Sequence, residues 1–298
     1  MFKGKKVLVY ALVVLSMIFW SFSFIWYKDV YLYLQPFTTI FSRLVLSAIL
    51  LFAFSKLSGK LQKVKASDAK FFLLLAFFEP FLYFIGESLG MQFVTPTTAA
   101  VIIALIPLLV PVLAYFLLNE RLLIKNVVGI GISFSGVLLV ITNSNLEFNA
   151  SLKGVLLMCL AVCGAVFYTI VLKKLTSKYN PFTLISWQNA IGAAMFLPLV
   201  LIYDVQGWNA SMLSVNAFIP VLKLAVFASS VAFLCYTYGI QVLGAVKSNI
   251  FTNLIPVITA VLSFFLLNEK LLLHNWIGIA IVIGGLVLSQ INSMRKPR

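Results

Sequence analysis

Charge is the scarcest commodity in this 298-residue chain. Only 10% of residues are charged, eight of them acidic, and there is a single histidine. With 62% hydrophobic residues, too little polar surface exists to cover a soluble globule of this length. The lone His274 stands at a loop edge, and no Ser-His-Asp set or His-x-x-Glu-His run accompanies it. A membrane-embedded enzyme is therefore the remoter reading, and no catalytic residue is assigned. Cysteine is also sparse: Cys159, Cys163 and Cys235 are odd in number and fall in apolar runs, so neither a disulfide frame nor a metal site follows. No phosphate-cradling glycine loop is present, so ATP-driven pumping would need another subunit. No cofactor is implied.

What the chain has in abundance is apolar length. Ten continuous runs lie near 7–27, 36–55, 71–90, 97–118, 124–142, 154–173, 182–203, 217–240, 248–267 and 274–292. Each is roughly 17 to 24 residues, enough to cross ~30 Å of hydrocarbon as a helix. Continuous rather than alternating runs favour helices over barrel strands. The first run ends at Lys28-Asp29, carries Trp20 and Trp26, and has no small-residue cleavage site, so it reads as a retained helix and not as a secretory signal.

A net charge of +14 would suggest nucleic acid if it were gathered in one domain. It is not. With the amino terminus inside, 17 Lys and Arg fall on cytoplasmic segments and three on outer loops, while Arg43 and Lys223 lie within helices. That bias sets both termini in the cytoplasm and leaves nucleic acid with no basic domain to bind. The expected partners are a small-molecule substrate and the lipid bilayer, with a second copy of the chain (a homodimer) as a further candidate.

Residues 90–141 and 239–290 align at a constant shift of 149 without a gap, with 20 of 52 positions identical. Gly90, Gln92, Pro107, Asn126, Gly129 and Gly136 answer Gly239, Gln241, Pro256, Asn275, Gly278 and Gly285. A weaker copy at a shift of 145 matches Gln35-Pro36-Phe37-Thr38 to Asn180-Pro181-Phe182-Thr183. The chain thus divides into two versions of one unit, 1–145 and 150–298. Five helices per unit is an odd number, so the second unit is expected to enter the membrane upside down. Inverted repeats of this kind build secondary transporters.

Trp20 and Ser21 in the first helix, Pro36, Arg43, the run Thr97-Thr98-Ala99-Ala100, Pro107 and the turn Leu118-Asn119-Glu120-Arg121 resemble the EamA family of the drug/metabolite transporter superfamily. The resemblance covers nearly the whole chain in order. It implies an all-α integral membrane protein of ten transmembrane helices in two inverted five-helix repeats. It further implies a central cavity between helices 1, 3, 4, 6, 8 and 9, with helices 5 and 10 at the periphery. Members are mostly exporters of amino acids or other small metabolites, which implies efflux across a bacterial cytoplasmic membrane, either proton-coupled or as a facilitator. A multidrug or lipid-like amphiphile exporter is the alternative.

The unusual chemistry sits in helix 3. Glu79, Tyr83 and Glu87 recur at i, i+4 and i+8, on one face of a continuous helix with ~12 Å of rise between the carboxyls. An acid at membrane depth faces the interior by default and marks a proton or substrate path. Glu79 and Glu87 are the candidate proton-coupling residues; equally, one of them could simply pair with Arg43. Pro80 removes the hydrogen bond to the carbonyl of Ala76. The shift of 149 puts Ala228 and Tyr236 at the positions of Glu79 and Glu87, so the cavity should be charged on one side and neutral on the other. Trp20, Tyr168 and Tyr236 could stack on a substrate or merely pack. Asn249 and Asn253 in helix 9, and Gln188 and Asn189 in helix 7, could contact substrate or act as interhelical glue. Glu120 and Glu269 read as caps of the helices that follow them, and Gly129, Gly131, Gly136, Gly278 and Gly285 as sites of close helix packing. Substrate binding is accordingly assigned to Trp20, Arg43, Glu79, Tyr83, Glu87, Tyr168, Tyr236, Asn249 and Asn253, with no metal site.

Overall fold

In the computed structural model, which describes residues 2–118, 124–141, 150–208, 212 and 214–290, every regular element is helical. In chain order these are α1 (Phe2–Val30), α2 (Pro36–Leu57), α3 (Ala66–Gly90), α4 (Pro96–Ile103 and Ile106–Leu118) and α5 (Ile124–Ile141). The second set is α6 (Leu152–Leu175), α7 (Pro181–Gly207), α8 (Val215–Leu243), α9 (Ala245–Asn249, Ile250–Asn253 and Leu254–Leu267) and α10 (Leu273–Gln290). Seven of them are long and apolar enough to cross a bilayer, and α5, α9 and α10 contain shorter apolar stretches. The ten elements fall on the ten apolar runs. The protein is a multi-pass membrane protein.

The sequence sets the helix starts locally. Pro36, Pro96 and Pro181 stand at the first turns of α2, α4 and α7, where a missing N–H costs nothing. Thr95 and Asn180 accept from the backbone N–H three residues on.

The duplication reappears as shared irregularities. Wide π-type turns occupy Phe77–Leu82 in α3 and Leu224–Ala232 in α8, which overlap at a shift of 149. The break in α4 at Ala104-Leu105 and that in α9 at Ile250–Asn253 also overlap, each just ahead of the paired Pro107 and Pro256. Equivalent helices meet across the molecule: α2 on α7, α4 on α9 and α5 on α10. Each leading helix packs into the opposite set, α1 against α8 and α9, and α6 against α3 and α4.

The α5–α10 crossing shows the symmetry most directly. A Cβ on Gly136 would sit 2.7 Å from the carbonyl of Gly278, and one on Gly285 would sit 2.6 Å from the carbonyl of Gly129. Ser133 Oγ donates to the carbonyl of Val282, its own equivalent, at 3.0 Å. Reciprocal contacts between equivalent residues are the mark of a two-fold relation. Gly131 behaves otherwise: a Cβ there would meet nothing within 4 Å, so it is no packing glycine.

Candidate functional site

A cavity of ≈ 70 Å³ lies where α1, α3, α4, α6, α8 and α9 converge, with Arg43 reaching in from α2. Eight of the nine residues expected to bind substrate line it: Trp20, Arg43, Glu79, Tyr83, Glu87, Tyr168, Tyr236 and Asn249. Asn253 is buried one turn farther along α9, outside the wall, and its Oδ1 has no partner among the described residues.

Helix α3 is not the continuous helix that the i, i+4, i+8 spacing assumes. Glu79 has an extended backbone (φ −149°, ψ 117°) inside the wide turns, and the peptide joining it to Pro80 is cis. Room for this kink comes from neighbouring helices. A Cβ on Gly164 of α6 would lie 2.8 Å from the carbonyl of Phe78, and one on Gly192 of α7 would run into Pro80 Cγ. The two carboxyls therefore share one cavity without sharing one helical face.

Their surroundings differ. Glu87, 3% exposed, has both oxygens engaged: the Tyr27 hydroxyl donates to Oε2 at 2.9 Å and the Tyr83 hydroxyl to Oε1 at 2.8 Å. Arg43, 2% exposed, donates from Nη1 to the Tyr27 hydroxyl at 2.8 Å and from Nε to Ser229 Oγ at 2.7 Å. Its guanidinium lies over the Phe84 ring at 4.6 Å. Arg43 and Glu87 are thus coupled through Tyr27; no direct ion pair joins Arg43 to either glutamate among the described residues. Glu79 is only 7% exposed and lines the cavity, yet its carboxyl has no hydrogen-bond partner among the described residues.

The opposite wall is aromatic and uncharged. The Trp20 ring packs edge-on against Phe233 at 5.1 Å and Tyr236 at 5.0 Å, and Tyr168 edge-on against Phe233 at 6.4 Å. Trp20 Nε1 donates to the carbonyl of Ala228, the position equivalent to Glu79. Wide turns free carbonyls from the helical ladder, and here an indole N–H takes one up. Tyr236 donates its hydroxyl to Asn249 Oδ1. In α7, Asn189 donates to Ser47 Oγ at 2.7 Å and to the carbonyl of Ser229 at 3.1 Å, acting as interhelical glue.

Sequence reasoning missed Tyr27, Ser229 and Phe84. Tyr27 carried a signal, since it lies one and two turns beyond Phe24 and Trp20 on the same face of α1. Ser229 follows the Glu79-equivalent Ala228 but has no feature that marks it as the partner of Arg43.

Away from the cavity, one end of the bundle is drawn shut. Lys28 Nζ donates to the carbonyls of Met91 (2.7 Å) and Val94 (3.2 Å), and Tyr31 donates to that of Ser88 (2.9 Å). Glu269 is not the helix cap expected of it. Its Oε2 accepts from Thr97 Oγ1 at 2.9 Å, tying α4 to the segment before α10. Glu120 lies outside the described residues.

The sequence profile of the EamA-like transporter family matches this chain twice, over residues 7–142 and 152–290. An uncharacterized transporter of Archaeoglobus fulgidus is 29% identical over 95% of this chain and 98% of its own length. The uncharacterized transporter YetK of Bacillus subtilis is 28% identical over 83% of this chain and 76% of its own. A WAT1-related chloroplastic protein of Arabidopsis thaliana is 27% identical over 91% of this chain and 66% of its own. One solved crystal structure superposes with a TM-score of 0.70 at 15% identity, covering 95% of this chain and 96% of that one, a likeness of fold.

Proposed function

Because the chain belongs to the EamA-like transporter family, we propose that it is a secondary transporter exporting small metabolites, amino acids or related compounds, across the cytoplasmic membrane. Access alternates between the two faces as two inverted five-helix repeats, 1–145 and 150–298, exchange conformations about the shared cavity. Both termini are cytoplasmic in this scheme, by the distribution of Lys and Arg. The reciprocal α5–α10 contacts and the paired kinks in α3 and α8 support an exchange of this kind, since equivalent elements then have equivalent places to bend.

The observation that carries the proposal is the carboxyl of Glu79: buried, cavity-facing, and without a hydrogen-bond partner among the described residues. The side chain lines the cavity instead of pairing with a neighbouring helix, and an acid at membrane depth marks a path for a proton or substrate. A proton and a substrate compete for this one group, so loading one releases the other. Glu87 is held by Tyr27 and Tyr83 and serves as the fixed countercharge to Arg43.

Purified protein in proteoliposomes tests this. An imposed pH gradient should drive accumulation of substrate against its concentration gradient. Glu79→Gln should abolish that drive while leaving substrate exchange partly intact. Unchanged proton dependence in the variant would remove Glu79 from the mechanism.

A further inference from the structure

When Glu79 is ionised, the charges of the cavity do not cancel. Arg43 and Glu87 are bridged by Tyr27, and Ser229 and the Phe84 ring occupy a further edge and a face of the guanidinium. This arginine reaches the cavity with Nε and Nη1 already engaged and with its charge answered by Glu87 through Tyr27. The second half adds no charge to the wall: it contributes aromatic rings, hydroxyls, the aliphatic Ala165 and Ile255, and the Asn249 amide, whose oxygen is taken by Tyr236. Glu79 remains as one unbalanced acid facing a set of edge-packed rings.

We infer that this is a subsite for a small organic monocation, a protonated amine or quaternary ammonium without a carboxylate, seated between Glu79 and the rings of Trp20, Phe233 and Tyr236. The inference rests on the transport reading above; among its small metabolites it selects cations and sets aside the zwitterionic amino acids named there. A carboxylate supplies the countercharge, and an aromatic wall supplies π faces that attract a desolvated cation, Trp most strongly. A zwitterion carries in a second charge whose natural partner, Arg43, is already answered by Glu87 through Tyr27, and an anion meets Glu79 directly. Size is consistent with a compact head group. A water needs roughly 10–15 Å³ of such space, so ≈ 70 Å³ holds about five groups of that size, close to a trimethylammonium head.

The test uses an isosteric series on the full-length purified protein, read by calorimetry: choline, its neutral isostere 3,3-dimethylbutan-1-ol, the zwitterion glycine betaine, and the anion 3,3-dimethylbutanoate. Butylammonium is added as a primary amine. Choline or butylammonium should bind at least tenfold more tightly than the neutral alcohol, with betaine and the butanoate weaker. Glu79→Gln should reduce the cations to the level of the alcohol while leaving the alcohol unchanged. Because the series reads charge preference on the unmutated protein, it stands even if the variant folds poorly. Failure of both cations to bind, equal binding of cation and alcohol, a preference for betaine or the anion, or full cation affinity in a folded Glu79→Gln variant would each overturn the inference.

Ile103→Trp, which fills the cavity from α4, separates this failure from failure of the transport reading. A zwitterion or anion that binds best and is lost in Ile103→Trp would retire the cation subsite and keep the transport cavity. Binding of every ligand indifferent to Ile103→Trp would retire both.

Discussion

Replacing Tyr27 by Phe removes one oxygen and, with it, the link from Arg43 to Glu87. Hydrogen bonds to charged groups contribute about 1.5–3 kcal/mol each, and two buried charges would be left without their bridge. Tyr27→Phe should therefore lower the melting temperature in detergent by several degrees. Tyr83→Phe should cost less, because Glu87 retains its bond to Tyr27. Equal losses from the two variants would mean that Tyr27 is not the coupling residue. The sequence marks Glu79 and Glu87 as equals on one helix face. Their division into a free and a held carboxyl depends on Tyr27, 60 residues from Glu87, and on how the backbone passes Pro80. A proline announces that a hydrogen bond is missing, but the neighbours at Gly164 and Gly192 decide which way the chain turns. Arg43 shows the same limit: its depth suggested an acid as partner, and the partners turned out to be Tyr27 and Ser229, which sequence spacing cannot select.

At the scale of elements, the α5–α10 crossing permits a paired experiment. Gly136→Ala and Gly285→Ala each push a methyl into a facing backbone at under 3 Å and should each destabilise the protein by roughly 1–3 kcal/mol, as overpacking does. Gly131→Ala meets open space and should be neutral or slightly stabilising, since Ala favours the helix over Gly. Thermal unfolding of the three variants checks both expectations, and a large loss at Gly131 would contradict the crossing described. Helix positions were legible throughout, because hydrophobic length alone fixes where a chain can cross a bilayer. The duplicated breaks at Pro107 and Pro256 were legible as proline pairs. The wide turns of α8 were not, for Leu224–Ala232 contains neither proline nor glycine. Glu269 was misjudged because position at a helix start suggests capping, while the hydroxyl of Thr97, brought near only by the fold, takes the carboxylate instead.

For the whole molecule, the bonds of Lys28 to Met91 and Val94 and of Thr97 to Glu269 close the end that the proposed orientation makes extracellular. Weakening them should shift the population toward states open on that side. In a background lacking Cys159, Cys163 and Cys235, Ser23→Cys places a thiol on the cavity wall. Its labelling by a membrane-impermeant maleimide from outside should rise severalfold when Lys28→Ala and Glu269→Ala are added. Labelling that does not change would mean that these contacts do not govern access. Lys28 was visible only as a polar stop after an apolar run; that its amine folds back onto two carbonyls is a property of helix ends meeting in space.

The kink in α3 carries Glu79 and Pro80, and the matching stretch of α8 carries Ala228 and Ser229. Two hinges of unlike composition, only one of them carrying an acid, are not interchangeable when they trade shapes. In the proposed cycle an unloaded carrier built this way rests preferentially toward one compartment, which sets how readily each face loads, while the gradients alone decide where net flux goes.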